Sequence, residues 1–115
     1  MNLGGEGING GQTPVTIEDI LDFFDISVEA GTLQGRGSGW LAKLRLCIMR
    51  EMLLIAGEFI DDERTNYACY ILKRAYLRSD GLKWPRDFVV GDDCPELNTM
   101  ILELIGSLCD EGGMT

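Results

Sequence analysis

The side chains best suited to chemistry in this sequence are four cysteines, because the chain contains no histidine. Without an imidazole, the Cys-His and Ser-His pairs that activate many protein nucleophiles cannot form. Cys47, Cys69, Cys94 and Cys109 are far apart in sequence, and no CxxC motif occurs. Neither a zinc ribbon nor a thioredoxin-type redox motif is therefore indicated, and we expect no metal and no cofactor.

An even number of widely spaced cysteines is typical of disulfides formed in an oxidising compartment. Two disulfides are predicted, and four buried free thiols in a cytosolic helical protein are the alternative. Spacing alone leaves the three possible pairings open. A bridge between Cys69 and Cys109 would tie the end of the chain to its centre, and Cys47 and Cys94 would then form the second bridge.

Carboxylates are the other groups that could act chemically. The adjacent acids Asp61, Asp62 and Glu63 could transfer protons, but acids clustered before a helix more often cap it. The aspartates between residues 80 and 93 lack the spacing of a helix–loop–helix calcium site. The chain is therefore not expected to be an enzyme.

Four segments have apolar residues at helical spacing, so we expect four helices to position the cysteines and carboxylates. Thr16 is a suitable N-cap for a first helix that ends at Gly31. The second and third segments are separated by only a short acidic connection, which predicts an antiparallel hairpin at the centre of the chain. The remaining helices are expected over Trp40–Ile60, Glu63–Arg78 and Pro95–Asp110. The sequence thus predicts an all-α, four-helix bundle-like domain, stapled by disulfides.

The second predicted helix is apolar over a wide arc, so we expect it to be packed on more than one side. Its principal stripe consists of Leu41, Leu44, Ile48, Met52, Ile55 and Phe59. A second stripe widens the first and consists of Leu46, Met49, Leu53, Ala56 and Ile60.

The connection Ser79–Asp93 is too apolar for a solvated tether. We expect Trp84 or Phe88 to be plugged into the core, with exposure for glycan or protein binding as the alternative.

Composition and net charge indicate which partners the chain disfavours and where its folded domain begins and ends. Its 115 residues carry a net charge of −9, which disfavours nucleic-acid binding and attraction to anionic membranes. Glycines favour a flexible lead or linker over residues 1–15, followed by one helical module over 16–111 and a flexible tail over 112–115. The first residues do not resemble a signal peptide, and no apolar run is long enough to span a bilayer.

Five runs in order resemble a known type of helical module. They are GTLQGRGSG (31–39), REMLLIAGEFI (50–60), ACYILKRAYLRSDG (68–81), WPRDFVVG (84–91) and LNTMILELIGSLC (97–109). Over residues 17–109 the chain is similar in style to FIVAR/FIMAH-like accessory modules of large secreted or surface proteins of bacteria.

The resemblance implies a non-catalytic module among other domains, acting as a rigid spacer or as a docking face for a protein or glycan. It favours pairing of Cys69 with Cys109. Cys47 and Cys94 stand where other residues are expected, as a second bridge would produce. Trp40 stands where a small polar residue is expected, so this part of the surface departs from that of the modules. Trp40 is itself a possible binding residue.

The predicted function is therefore that of a structural or binding module of an extracellular or cell-surface protein. The alternative is a cytosolic helical regulator that binds a partner helix in an apolar groove. A count of free thiols separates the two.

Overall fold

A computed structural model describes residues 14–82 and 86–109 of the chain. The described part is an all-α domain, as predicted, with four helices packed on one another. The helices are α1 (Ile17–Ala30), α2 (Gly39–Asp61), α3 (Thr65–Leu77) and α4 (Cys94–Leu108). Two short strands, β1 (Gln34–Gly35) and β2 (Val89–Val90), lie in the loops before α2 and α4.

Helix α1 begins and ends where its sequence signals predict. The Thr16 hydroxyl accepts a hydrogen bond from the Asp19 N–H, and the Asp19 carboxylate accepts one from the Thr16 N–H, both at 3.1 Å. This reciprocal capping box satisfies two N–H groups that no helical carbonyl can reach. At the other end Gly31 adopts φ 81°, a left-handed conformation that glycine tolerates best.

Helices α2 and α3 form the predicted central hairpin, but the turn differs from the expected one. Asp61 still belongs to α2, and Asp62 closes that helix by donating its N–H to the Glu58 carbonyl. The chain reverses at Glu63, which has φ 61°, and α3 starts after Arg64 without a side-chain cap. The expectation that Asp61 or Asp62 caps α3 is therefore wrong, because α2 continues one residue beyond its apolar pattern and α3 begins only at Thr65.

The connection between α3 and α4 crosses the bundle and pairs with the loop before α2. Gln34 pairs with Val90 and Gly35 with Val89 in an antiparallel two-residue ladder that the sequence does not predict. Val89 is fully buried, whereas Phe88 is half-buried and packs against the core. The connection enters the core through Val89, whereas Phe88, one of the two residues predicted to be plugged into the core, only packs against it. Trp84, the other, lies outside the described residues.

Helix α4 starts at Cys94, so Pro95 occupies its first turn as expected. Asp93 holds the N-cap position, yet its carboxylate makes no capping bond and accepts hydrogen bonds from Ser27 of α1 and Thr32 of the following loop instead. Helix α4 packs against α3 and α1, and α2 packs against α1 and α3. The core between them is formed by fully buried apolar side chains: Ile20, Phe24, Leu33, Met49, Leu53, Leu72, Val89, Leu97 and Ile101.

The lead over residues 1–15 and the tail over 112–115 that we predict to be flexible lie outside the described residues, except for Pro14 and Val15. Val15 is half-buried and packs against the core, so the ordered domain starts slightly before the predicted boundary.

Candidate functional site

The cysteines divide into one disulfide and two free thiols. Cys69 of α3 and Cys109, just after α4, are joined by a disulfide with their Cα atoms 5.9 Å apart. This is the pair that the resemblance favours. The bridge closes a segment of 40 residues and fastens the last helix to the central hairpin.

The predicted second disulfide, between Cys47 and Cys94, is wrong. Cys47 is exposed on α2, whereas Cys94 is buried at the start of α4. The Cys94 thiol donates to the carbonyl oxygens of Ser79 at 3.4 Å and Val89 at 3.5 Å. Burial, together with the negative charges of Asp87 and Asp80, raises the pKa of Cys94 to about 11. A thiol held protonated in this way is a poor nucleophile and a poor metal ligand.

A cavity of about 400 Å³ opens beside Cys94 and is lined partly by Ser79, Asp80 and Asp87. Asp87 is buried, and its Oδ2 accepts the Gly81 N–H at 2.9 Å while its Oδ1 has no hydrogen-bond partner. Burial raises the pKa of this carboxyl. The carboxylate closes the turn after α3, and the only thiol at the cavity is unreactive, so this set of groups has no activated nucleophile.

The three aromatic residues predicted to bind a partner have different positions. Trp40 is 73% exposed in the first turn of α2. Phe88 packs against the core, and the Arg78 guanidinium lies 4.7 Å from the centre of its ring. Trp84 lies outside the described residues. Of the two that are described, only Trp40 is available for contact with another molecule.

Helix α2 exposes the apolar stripe that was expected to be buried. Leu41, Leu44, Ile48 and Ile55 are each 37 to 42% exposed, which is high for large aliphatic side chains. The residues that enter the core are Met49, Leu53 and Ala56 of the second stripe. Helix α2 contacts α1, α3 and β1, so the prediction that it is packed on more than one side is confirmed, but most of the principal stripe lies outside these contacts. We name as the α2 outer face the exposed residues Leu41, Leu44, Ile48 and Ile55 together with the half-buried Phe59 at its end. Met52 of the same stripe is half-buried and packs against the core.

Aromatic side chains of α3 extend the α2 outer face at one end. The rings of Phe59 and Tyr67 lie 5.3 Å apart, and Tyr67 is itself exposed. Tyr70, one turn further along α3, is also exposed, and the Arg74 guanidinium lies 5.6 Å from the centre of its ring. Tyrosine and arginine on an apolar border are common in protein interfaces.

Charge is divided along α2. The half from residue 39 to 50 carries Lys43, Arg45 and Arg50 and no acid, whereas the half from 51 to 61 carries three acids and no base. Arg50 is paired with Asp25 of α1 through two hydrogen bonds of 2.8 Å. This pair lowers the pKa of Asp25 and raises that of Arg50, mainly through the side-chain hydrogen bonds.

No family model, curated protein or solved structure matches the chain. The similarity to FIVAR/FIMAH-like modules therefore stays a prediction. Across the described ranges 14–82 and 86–109, no helix combines the length and apolar character needed to cross a membrane.

The sequence predicts both stripes of α2 but not which of them faces the core. Both stripes repeat every three or four residues, so periodicity cannot rank them. One signal does distinguish them: the stripe with the small residue Ala56 is the one against which other elements pack. A Cβ placed on Gly57, the next residue, would lie 3.5 Å from the Cγ atoms of Ile17 in α1. Small residues mark the side on which neighbouring helices approach closely.

Proposed function

We propose that this chain is a non-catalytic structural and protein-binding module of a secreted or cell-surface protein, and that it binds its partner through the α2 outer face. One observation carries the proposal: four large aliphatic side chains in a single row are each 37 to 42% exposed, next to Trp40 at 73%. Contiguous apolar surface of this kind marks interaction sites in soluble proteins.

The chemistry of the surface favours a protein partner over a glycan. Sugar binding generally relies on exposed aromatic rings with polar groups around them, and Phe88 is packed against the core. The α2 outer face is aliphatic along most of its length, with aromatic residues near its ends. That composition resembles the buried centre of a protein interface. The partner could be another domain of the same larger protein.

Two features support a non-catalytic role. The chain has no histidine, so the bases that usually activate serine or cysteine are absent from the sequence. The buried thiol of Cys94 has a pKa raised to about 11, which keeps it protonated at neutral pH.

The disulfide supports the secreted location, since such bonds persist in oxidising compartments. The exposed free thiol of Cys47 favours the second candidate, a cytosolic helical regulator that binds a partner helix on the same face. A thiol count on chain isolated from its natural source without reductant distinguishes them. Two free thiols per chain support the secreted module, and four contradict it.

Availability of the α2 outer face is tested by truncating its residues one at a time. Leu44→Ala, Ile48→Ala and Ile55→Ala should each lower the free energy of unfolding by less than about 1 kcal/mol, because these side chains are not enclosed by the fold. The matched control Leu53→Ala removes a fully buried side chain of the same helix and should cost about 2–5 kcal/mol. If the outer-face substitutions lowered the free energy of unfolding as much as Leu53→Ala does, these side chains would be part of the packed fold, and the proposal would be refuted.

A further inference from the structure

We infer that the partner of the α2 outer face is a helix of a different sequence, with apolar residues opposite the first half of α2 and basic residues opposite Glu51 and Glu58. The inference rests on the proposed function, because it names the kind of partner that this face takes. It is argued from the spacing of exposed residues on α2, from the length of the row that they form and from the two carboxylates within it.

Six exposed residues of α2 form a heptad repeat on the side of the helix away from the core. They follow one another at alternating intervals of three and four residues. An alternating repeat of this kind is the line along which a second helix packs, because it keeps one row of side chains facing the neighbour. The buried residues Met49, Leu53 and Ala56 occupy none of its positions. We name these six residues the α2 seam: Leu41, Leu44, Ile48, Glu51, Ile55 and Glu58.

The α2 seam is long enough for a helical partner. At 1.5 Å per residue it extends over about 25 Å from Leu41 to Glu58, which is nearly five helical turns. A loop would cover only part of such a row, whereas one amphipathic helix can contact all of it. At the far end the ring of Phe59 lies 5.3 Å from that of Tyr67, so the partner would also touch the edge of α3.

Two carboxylates within the α2 seam determine the chemistry of the partner. Glu51 lies between Ile48 and Ile55 in the row, and Glu58 follows Ile55 by three residues. In the part of the chain that the structure describes, neither glutamate forms an ion pair or a side-chain hydrogen bond. Enclosing an unpaired carboxylate in an apolar contact is costly, so the partner must bring a cation to each. Lysine or arginine supplies that charge while its apolar stem covers the neighbouring isoleucine.

A helix identical to α2 does not meet this requirement. In a parallel pair Glu51 and Glu58 would each face the same residue of the other copy, and in an antiparallel pair aligned over the whole seam they would face aliphatic side chains. The basic residues of α2 do not compensate, because Arg50 is bound to α1, Arg45 is bound to the loop before α2, and Lys43 lies outside the seam. The partner therefore has a different sequence.

The first measurement is isothermal titration calorimetry of the full chain with a designed helical peptide of about three heptads. The peptide has leucine or isoleucine opposite residues 41–48 and Ile55, has lysine opposite Glu51 and Glu58, and is made in both chain directions. We expect at least one direction to bind in the micromolar range. A peptide with glutamate in place of the two lysines should bind at least tenfold more weakly. Equal binding of the two peptides, or no binding of either, would overturn the inference.

Charge exchange tests whether the two carboxylates select the partner. The variant Glu51→Lys/Glu58→Lys should reverse the preference, so that the glutamate peptide binds at least tenfold more tightly than the lysine peptide. The matched control is Glu96→Lys/Glu103→Lys, which raises the net charge by the same amount at two exposed positions of α4. The control should keep the preference for the lysine peptide. Reversal in the control would show that net charge alone decides and would overturn the inference.

The location of the peptide is tested with a maleimide nitroxide on Cys47, an exposed thiol next to Ile48 in sequence. In the ¹⁵N-labelled lysine peptide, the NMR signals of the residues opposite Leu44 and Ile48 should broaden more than that of the lysine opposite Glu58. The opposite order, or no broadening, would place the peptide in another register or on another surface and contradict the inference.

The two proposals fail in different ways. If no peptide binds while Leu44→Ala and Ile55→Ala have mild effects on stability, the helical partner is refuted and the α2 outer face remains available to a protein of another shape. If those substitutions lower the free energy of unfolding as much as Leu53→Ala does, both proposals are refuted.

Discussion

Ser27 of α1 donates a hydrogen bond of 2.8 Å to Oδ2 of Asp93, 66 residues later in the chain. The Thr32 hydroxyl donates to the same oxygen. The Asp93 N–H in turn donates a hydrogen bond of 2.9 Å to the Thr32 carbonyl oxygen. The two hydroxyl donors favour the ionised carboxylate and lower the pKa of Asp93. This polar cluster fixes the start of α4 against the end of α1.

Removal of the Ser27 hydroxyl should destabilise the domain measurably. Ser27 is fully buried, and Ser27→Ala loses a hydrogen bond to a charged group, so we expect a loss of about 1–3 kcal/mol in urea unfolding. The matched control is Ser107→Ala, because Ser107 is exposed and its hydroxyl donates only to Leu104 of its own helix. Equal effects of the two substitutions would contradict the assigned role of Ser27.

The same cluster predicts a pH dependence at the acid end. The pKa of Asp93 in the folded chain is below its ordinary value of 3.8. The ionised Asp93 carboxylate therefore adds to the free energy of unfolding above about pH 4, and this stabilisation is lost as pH falls through the folded pKa. The difference in unfolding free energy between wild type and Ser27→Ala should therefore shrink below about pH 4. A difference that stays constant down to pH 2 would show that Ser27 acts independently of the Asp93 charge.

Two glycines should respond to alanine in opposite ways. A Cβ on Gly35 would lie 1.7 Å from the Ala42 carbonyl oxygen, so Gly35→Ala must displace backbone and should cost about 3 kcal/mol or more. A Cβ on Gly106 within α4 meets nothing within 4 Å, so Gly106→Ala should stabilise by about 0.5–1 kcal/mol. Thermal unfolding of both variants checks the prediction, and a tolerated Gly35→Ala would rule out the close contact between β1 and α2.

The disulfide should account for much of the stability of so small a domain. Closing a segment of 40 residues removes loop entropy from the unfolded chain worth about 4 kcal/mol. The double variant Cys69→Ala/Cys109→Ala should lose stability of that order in urea unfolding, as should wild type treated with reductant. Cys47→Ser, which alters an exposed free thiol, should change stability by only a few tenths of a kcal/mol.

The two free thiols should react at very different rates. Without reductant, maleimide should label Cys47 quickly and Cys94 only when the domain unfolds, giving one label per native chain and two in denaturant. The variant Cys47→Ser should then take up no label while folded. Rapid labelling of Cys94 in the folded chain would contradict its burial.

The raised pKa of Cys94 also predicts a loss of stability in alkali. The unfolded thiol ionises near its ordinary value of 9.0, whereas the folded thiol does so at about 11, so stability should fall as pH rises between these values. Cys94→Ala should remove this part of the pH dependence.

Local signals predicted α1 and α4 well because their information is contained within each segment. Thr16, Gly31 and Pro95 act on their own backbone, and a single apolar stripe leaves one side of a helix to bury. The bounds of the hairpin were less accurate because Glu63, rather than Asp61 or Asp62, reverses the chain.

The features that local signals missed all depend on residues distant in sequence. Periodicity finds two stripes on α2, and only the positions of α1 and α3 decide that Met49 and not Ile48 is buried. Cysteine spacing does not show which sulfur atoms lie close together. The resemblance favoured the pair Cys69–Cys109, which the structure contains. The pairing of Cys47 with Cys94, inferred by elimination, was wrong. The β1–β2 ladder is likewise too short for any local pattern to reveal.

The bond between Cys69 and Cys109 also makes the polypeptide between them a covalent ring. A protease that cuts the α3–α4 connection once would leave both fragments attached, and they would separate on a gel only after reduction. A chain nicked at that connection would therefore remain one covalent molecule until its disulfide is reduced.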